Sequence, residues 1–220
     1  HPPLFLLPKE GKLTDVFDIV GLECLAHSYK AYSEDDIRAV TSLSRQAGRI
    51  KPYEEAFIRN VLALDQKRVR EIMTPRTVVF ELSDDLTVEQ AYTDPRTWHF
   101  SRIPVYGDNN EDIVGVIERR TLGRCMNDGS KDVPISKIMR PAHFILENQT
   151  LDVLLHDLLK ARVHLFVVLD EYGGLSGVVS LEDVLEEILG SEIVDESDKV
   201  DDLRALARQR RRELSGNRQG

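Results

Sequence analysis

"LSGVVSLEDVLEEILGSEI", residues 175–193, holds the change of local structure on which the fold turns. Leu175 to Val179 read as a strand with a glycine inside it, and an acidic amphipathic helix starts at Leu181. Ser180 and Asp183 stand three apart at the junction. A Ser-x-x-Asp pair there is a helix N-cap variant, contributing about 1 kcal/mol. The same two side chains are also of the kind that hold a ligand, and what faces them decides between the uses.

The stretch has a counterpart upstream. "IVGVIERRTL" at 113–122 has the same glycine-containing strand and following helix. Working back from each, "SRIPVYG" (101–107) matches "HLFVVLD" (164–170), and the turns "DNNED" and "EYGG" match one another. The amphipathic helices that open with "TVEQAY" and "TLDVLLHDLLKA" also correspond. Finally, "VREIMTPRTVVFEL" (69–82) matches "ISKIMRPAHFILEN" (135–148). The chain is thus a tandem repeat spaced by roughly 60 to 66 residues, with element order β-α-β-β-α. The fold class is α/β of the α+β kind, two modules packed about a pseudo-twofold axis. Pro104 falls inside the strand "SRIPVYG", which marks that strand as an edge or gives it a special role.

Two helices precede the repeat. Ser33 caps "SEDDIRAVTSLSRQAG" with Asp36 as partner, Ile37, Val40 and Leu43 form the apolar face, and Gly48 is the stop. After Pro52, "YEEAFIRNVLALDQKRV" aligns Phe57, Val61, Leu62 and Leu64, with Glu54 and Glu55 in the first turn, where the helix dipole favours acids. Residues 13–32 have helix-like spacing at Val16, Ile19, Val20 and Leu25, interrupted by Gly21. The organisation is therefore 1–32 unassigned, 33–68 an acidic helical linker, 69–131 the first module, 132–195 the second, and 196–220 a C-terminal helix with a basic tail.

Composition excludes several functions. With 220 residues and 41% apolar residues the chain can bury a core. A net charge of −9 argues against nucleic acid, whose phosphates need a basic face. Cys24 and Cys125 are far apart, and His99, His143, His156 and His164 show no HxxxH or HExxH spacing, so neither a disulfide scaffold nor a zinc motif is present. No apolar run reaches the ~18 residues that cross a bilayer. "HPPLFLLP" is too short and wrongly flanked for a signal peptide, and a start at His1 fits a fragment of something longer. "EYGG" and "DGSKD" are turns rather than phosphate loops, and nothing around Cys125 makes it a nucleophile.

The combination of "MTPR" entering the first copy, "SRIPVY" on its central strand, "GVVSLEDV" closing the second and "EIVDESD" after it resembles the CBS-domain pair in the cytoplasmic part of the CNNM/CorC family. These are membrane proteins linked to magnesium and cobalt transport, also called hemolysin-like. The resemblance covers residues 50 to 200. It implies a regulatory module rather than an enzyme, an upstream transmembrane domain missing from this chain, and a place on the cytoplasmic face of the plasma (inner) membrane in the full-length protein. It further implies a homodimer through the CBS pairs and an adenine nucleotide as ligand: ATP, or AMP or ADP, with Mg²⁺ through the phosphates.

In that family the Ser/Thr-x-x-Asp of one copy faces the Arg-x-Pro-Val strand of the other. Asp183 is then suited to the ribose hydroxyls, Ser180 and the N–H groups behind it to a phosphate, and Arg102 to the phosphates as a forked cation. Pro104 and the backbone of Thr77, Val78 and Val79 border the adenine, and Ser101, Ile103 and Glu182 complete the site. The repeat adds an asymmetry. Glu118 stands at the Ser180 position, Thr121 at Asp183, Leu165 at Arg102 and His164 at Ser101. One cleft keeps every part, while the other has a carboxylate where phosphate would sit, so one nucleotide per pair is expected.

Open alternatives accompany this. Glu182, Glu186, Glu187, Glu192, Asp195, Glu196 and Asp198 are a solvated acidic face or a Mg²⁺-responsive cluster. Trp98 and His99 pack near the adenine or only against the core, and "RQRRREL" is a solvated tail or meets anionic lipid. The rival functions are a CBS dimerisation scaffold that binds no nucleotide, and a metal-dependent hydrolase, for which no metal constellation is visible.

Overall fold

The structure, a computed structural model, describes residues 32–191. The expected helix within 13–32, the acids Glu192 to Asp198 and the C-terminal tail lie outside the described residues, save Tyr32. The elements are α1 (Glu34–Gln46), α2 (Pro52–Leu62), α3 (Val69–Ile72), β1 (Thr74–Pro75), β2 (Leu82–Ser83), α4 (Val88–Thr93), β3 (Arg102–Tyr106), β4 (Ile113–Glu118) and α5 (Arg119–Asn127). The second copy supplies β5 (Arg140–Pro141), β6 (Phe144–Leu146), α6 (Leu151–Ala161), β7 (Leu165–Leu169), β8 (Leu175–Ser180) and α7 (Leu181–Leu189). The mixed α+β architecture agrees with the sequence.

Local chemistry sets the helix starts. At α1 the Ser33 hydroxyl accepts from the Asp36 amide at 3.2 Å, and the Asp36 carboxylate accepts from the Ser33 amide at 2.9 Å. Gly48 follows the helix in the left-handed region, φ +68°. Pro52 opens α2 at its first turn. That helix stops at Leu62, earlier than its sequence pattern suggests. Leu64 is 3% exposed in the core of the second copy, and its carbonyl accepts the Leu151 amide at 3.1 Å. The chain leaves the helix to seat that leucine.

Among the described residues the strands form two sheets, in the orders β2-β3-β4-β5 and β1-β8-β7-β6. Each sheet takes its last short strand from the other copy. β1 pairs antiparallel with β8, Thr74 opposite Val178, and β5 pairs antiparallel with β4, Arg140 opposite Val116. The cores cross over likewise. Val69 and Ile72 join Leu154, Leu158, Val168 and Val184, whereas Ile135 joins Val88, Ile103, Ile117 and Leu122. A third cluster of Ile113, Val167 and Leu175 fills the seam between the sheets. The two copies are therefore interlocked rather than side by side.

One alternative is settled and one reading corrected. Of the two readings of Pro104, the edge strand is excluded, because β3 lies between β2 and β4. β2 pairs only with Val105 and Tyr106, so Pro104 lies just before that ladder and its missing N–H costs no bond there. The ungapped match of 69–82 to 135–148 also slips. Pro75 and Pro141 are equivalent, yet the Asp84 amide bonds the Tyr106 carbonyl as the Glu147 amide bonds the Leu169 carbonyl. The first copy thus carries three additional residues between these points, where the 3₁₀ turn Arg76–Val78 lies.

Candidate functional site

Strand register verifies the position-by-position comparison of the copies. Arg102 pairs with Glu118 across β3 and β4, and Leu165 with Ser180 across β7 and β8. Both strands then feed a helix whose first residue back-bonds in the same way: the Arg119 amide to the Ser101 carbonyl, and the Leu181 amide to the His164 carbonyl, each at 3.0 Å.

Ser180 and Asp183 form a closed capping box at the start of α7. The Asp183 carboxylate accepts from the Ser180 amide at 2.7 Å and from its hydroxyl at 2.6 Å, while the Asp183 amide donates to the Ser180 hydroxyl at 3.2 Å. The geometry is that of Ser33 and Asp36, so the box alone identifies a helix start and nothing more.

What sets α7 apart is its neighbour from the other copy. Arg102 reaches across the seam, and its guanidinium lies 3.6 Å from the Glu182 carboxylate. His164 lies 3.8 Å from the same carboxylate. The repeat assigned His164 to the other cleft. Because His164 immediately precedes β7, bonded to Leu181, its ring falls beside Glu182 instead. Arg102 is about a quarter exposed and Ser101 is open to solvent, whereas Ile103 and Pro104 are buried in β3. Thr77 is exposed, Val78 is buried and Val79 is half-buried. They follow directly on β1, which lies along β8, so the turn runs against the strand that ends at Ser180. Arg76 in this turn is held by Glu111 at 2.8 Å, a partner that sequence reasoning did not find. The arrangement juxtaposes a helix N-terminus and a forked cation, both suited to a phosphate, with the Asp183 carboxylate, suited to sugar hydroxyls, and the short turn at Val78 and Val79, suited to a flat ring.

The equivalent position at the start of α5 is occupied by charge. Glu118, 13% exposed, accepts from the Arg120 guanidinium at 2.5 Å and lies 3.8 Å from that of Arg140, which enters from the second copy. The Arg120 hydrogen bond, helped by the charges of Arg140 and Arg102, holds this carboxyl below its usual range despite burial. Glu118 is thus an anion fixed in place. Trp98 packs edge-on against Tyr92, ring centroids 4.9 Å apart, and is half exposed. Among the described residues no three His, Cys, Asp or Glu side chains converge to hold a metal ion, and no helix is long and apolar enough to cross a membrane.

Comparison with known proteins places this arrangement. Residues 131–190 match the CBS domain family. A UPF0053 protein of Mycobacterium tuberculosis is 40% identical over 172 residues, 77% of this chain and 39% of that protein. The CBS domain of a bacterial CNNM/CorC family Mg²⁺ transporter, solved with the inhibitor IGN95a, superposes with a TM-score of 0.70 at 36% identity, covering 74% of this chain and all of that one. A CBS domain of a bacterial CNNM/CorC family Mg²⁺ transporter in complex with ATP is 39% identical, with a TM-score of 0.60 over 64% of this chain and 99% of that one. The chain spans about three-tenths to half the length of the curated relatives it matches. With its fold, its interlocked modules and these likenesses, the chain belongs to the CNNM/CorC family, of which it is the CBS region.

Proposed function

We propose that the chain is the regulatory CBS pair of a magnesium (cobalt) transport protein, and that it binds one adenine nucleotide, ATP with Mg²⁺, between the start of α7 and the start of β3. The observation that carries this is the approach of Arg102 from the first copy to the N-terminus of α7 in the second. The complex of a relative with ATP supports it. Asp183 serves the ribose, Ser180 and Arg102 the phosphates, and Thr77 to Val79 with Pro104 the ring. Glu182 accounts for the metal: its carboxylate stands beside the phosphate cation, and a triphosphate entering there brings Mg²⁺ to offset two adjacent anions. Glu118 keeps phosphate from the second cleft.

Two such pairs associate through helices α6 and α7, where Val153, Leu159, Leu185 and Leu189 stay 37–62% exposed. The α1–α2 hairpin joins the pair to a membrane domain on the cytoplasmic side, and nucleotide binding selects one arrangement of the dimer. Titration of Mg²⁺ and ATP into the wild type and Arg102→Ala tests the site: saturable heat lost in the variant supports it, and equal binding by both rejects it. A second reading, a dimerisation scaffold without nucleotide, is favoured by the identical capping boxes at Ser33 and Ser180, because the cap alone then accounts for the Ser-x-x-Asp pair.

A further inference from the structure

We infer that α7 is the lever that carries the state of the cleft to the α1–α2 hairpin, and that Asn60 and Lys67 are its grip; this rests on the nucleotide reading above. α7 is nine residues, about 14 Å long. Its first turn holds Ser180, Glu182 and Asp183, facing Arg102. Its last turn is held by the end of α2 and the segment that follows it. A helix ends with carbonyls that have no partner inside it. The Ile188 carbonyl finds one outside, the Asn60 side-chain amide, at 3.0 Å. The Lys67 ammonium pairs with Glu187 on the same turn, where a cation also suits the helix dipole. Gly190 then closes the helix in the left-handed region at φ +71°, and a β-carbon there would stand 3.3 Å from the Asn60 amide nitrogen.

Between these two residues along the chain, Leu64 is sunk into the same core cluster as Val184. Close-packed interiors move as units rather than deform. The end of α2 and the body of α7 are therefore one piece, and α2 is tied in turn to α1 by Arg45 and Glu55. A ligand that replaces the Arg102–Glu182 contact acts on one end of α7, and the hairpin hangs from the other. Asn60 and Lys67 touch no part of the cleft, so they are coupling residues and not ligand residues. Their loss should separate binding from its transmission.

The test is amide hydrogen exchange in α2 of the full chain, with and without saturating Mg²⁺ and ATP, with calorimetry on the same samples. In the wild type, nucleotide changes α2 exchange rates by threefold or more. In Asn60→Ala with Lys67→Ala, and in the isosteric Asn60→Asp, affinity stays within threefold of wild type while the α2 response disappears. An undiminished α2 response in folded variants overturns the inference, and so does binding heat in the wild type with no response at α2. No binding heat in the wild type is a different result, which overturns the nucleotide reading and this inference with it.

Discussion

Gly177 on β8 lies so close to Thr74 on β1 that a β-carbon at position 177 would stand 2.2 Å from the Thr74 carbonyl oxygen. The relationship is repeated in the other half, where a β-carbon on Gly115 would stand 2.8 Å from the Arg140 carbonyl oxygen. These are the two places where a strand crosses from one copy into the sheet of the other, and only glycine lets the backbones meet. Gly177→Ala should destabilise the chain by about 3 kcal/mol, because a backbone rather than a flexible side chain must give way. Gly123→Ala is the control: its new methyl group meets only Tyr92 at 3.7 Å, within a helix, and should be neutral or stabilising by up to about 1 kcal/mol. Urea unfolding of both variants measures the difference.

Glu81 offers a pH test. Burial pushes its carboxyl from the usual 4.5 up to about 7. Between these values the unfolded chain has lost the proton and the folded chain retains it. Stability therefore falls as pH rises from about 4.5 to about 7, and levels off above that. Glu81→Gln should remove this slope and stabilise the protein at pH 8 by about 1–2 kcal/mol, after allowance for partial solvent exposure. Melting curves from pH 4.5 to 8 check it, and parallel curves for both proteins would contradict the assignment.

The two capping boxes permit a comparison within one molecule. Asp36→Ala and Asp183→Ala should each cost about 1 kcal/mol of stability, since each removes the same set of bonds. On the nucleotide reading only Asp183→Ala also weakens ATP binding, by tenfold or more. Equal affinities in the two variants would leave both pairs as caps.

Glu182→Gln should lower the Mg²⁺ concentration needed for ATP binding, because it removes an anion 3.6 Å from Arg102 while keeping the side chain's size. Calorimetric titrations at several Mg²⁺ concentrations show whether the dependence flattens. An unchanged Mg²⁺ requirement would place the metal's role elsewhere.

Much of this was legible in the sequence because it is local. The Ser33 cap, the Gly48 stop, the strand-to-helix change at Ser180 and the repeat itself are patterns of neighbouring residues, and all stand in the structure. Pairing Arg102 with the start of α7 depended on the family resemblance. The crossover of β1 and β5 was hidden, since two-residue strands have no periodicity and their partners lie far along the chain. So was the end of α2, where no glycine or proline marks the stop and the burial of Leu64 decides it. Neither the three added residues near Arg76–Val78 nor the Asn60 bond to Ile188 has a local signature.

The central claim is one nucleotide site per chain, in the cleft between Arg102 and the start of α7. It is tested most directly by calorimetric titration of ATP, with and without Mg²⁺, into the wild type, Asp183→Ala and Glu118→Gln. The account predicts a stoichiometry near one with Mg²⁺, loss of binding in Asp183→Ala and retention in Glu118→Gln. Two sites per chain, or no heat at millimolar ATP, would contradict it, and the second result would leave Ser180 and Asp183 as a helix cap.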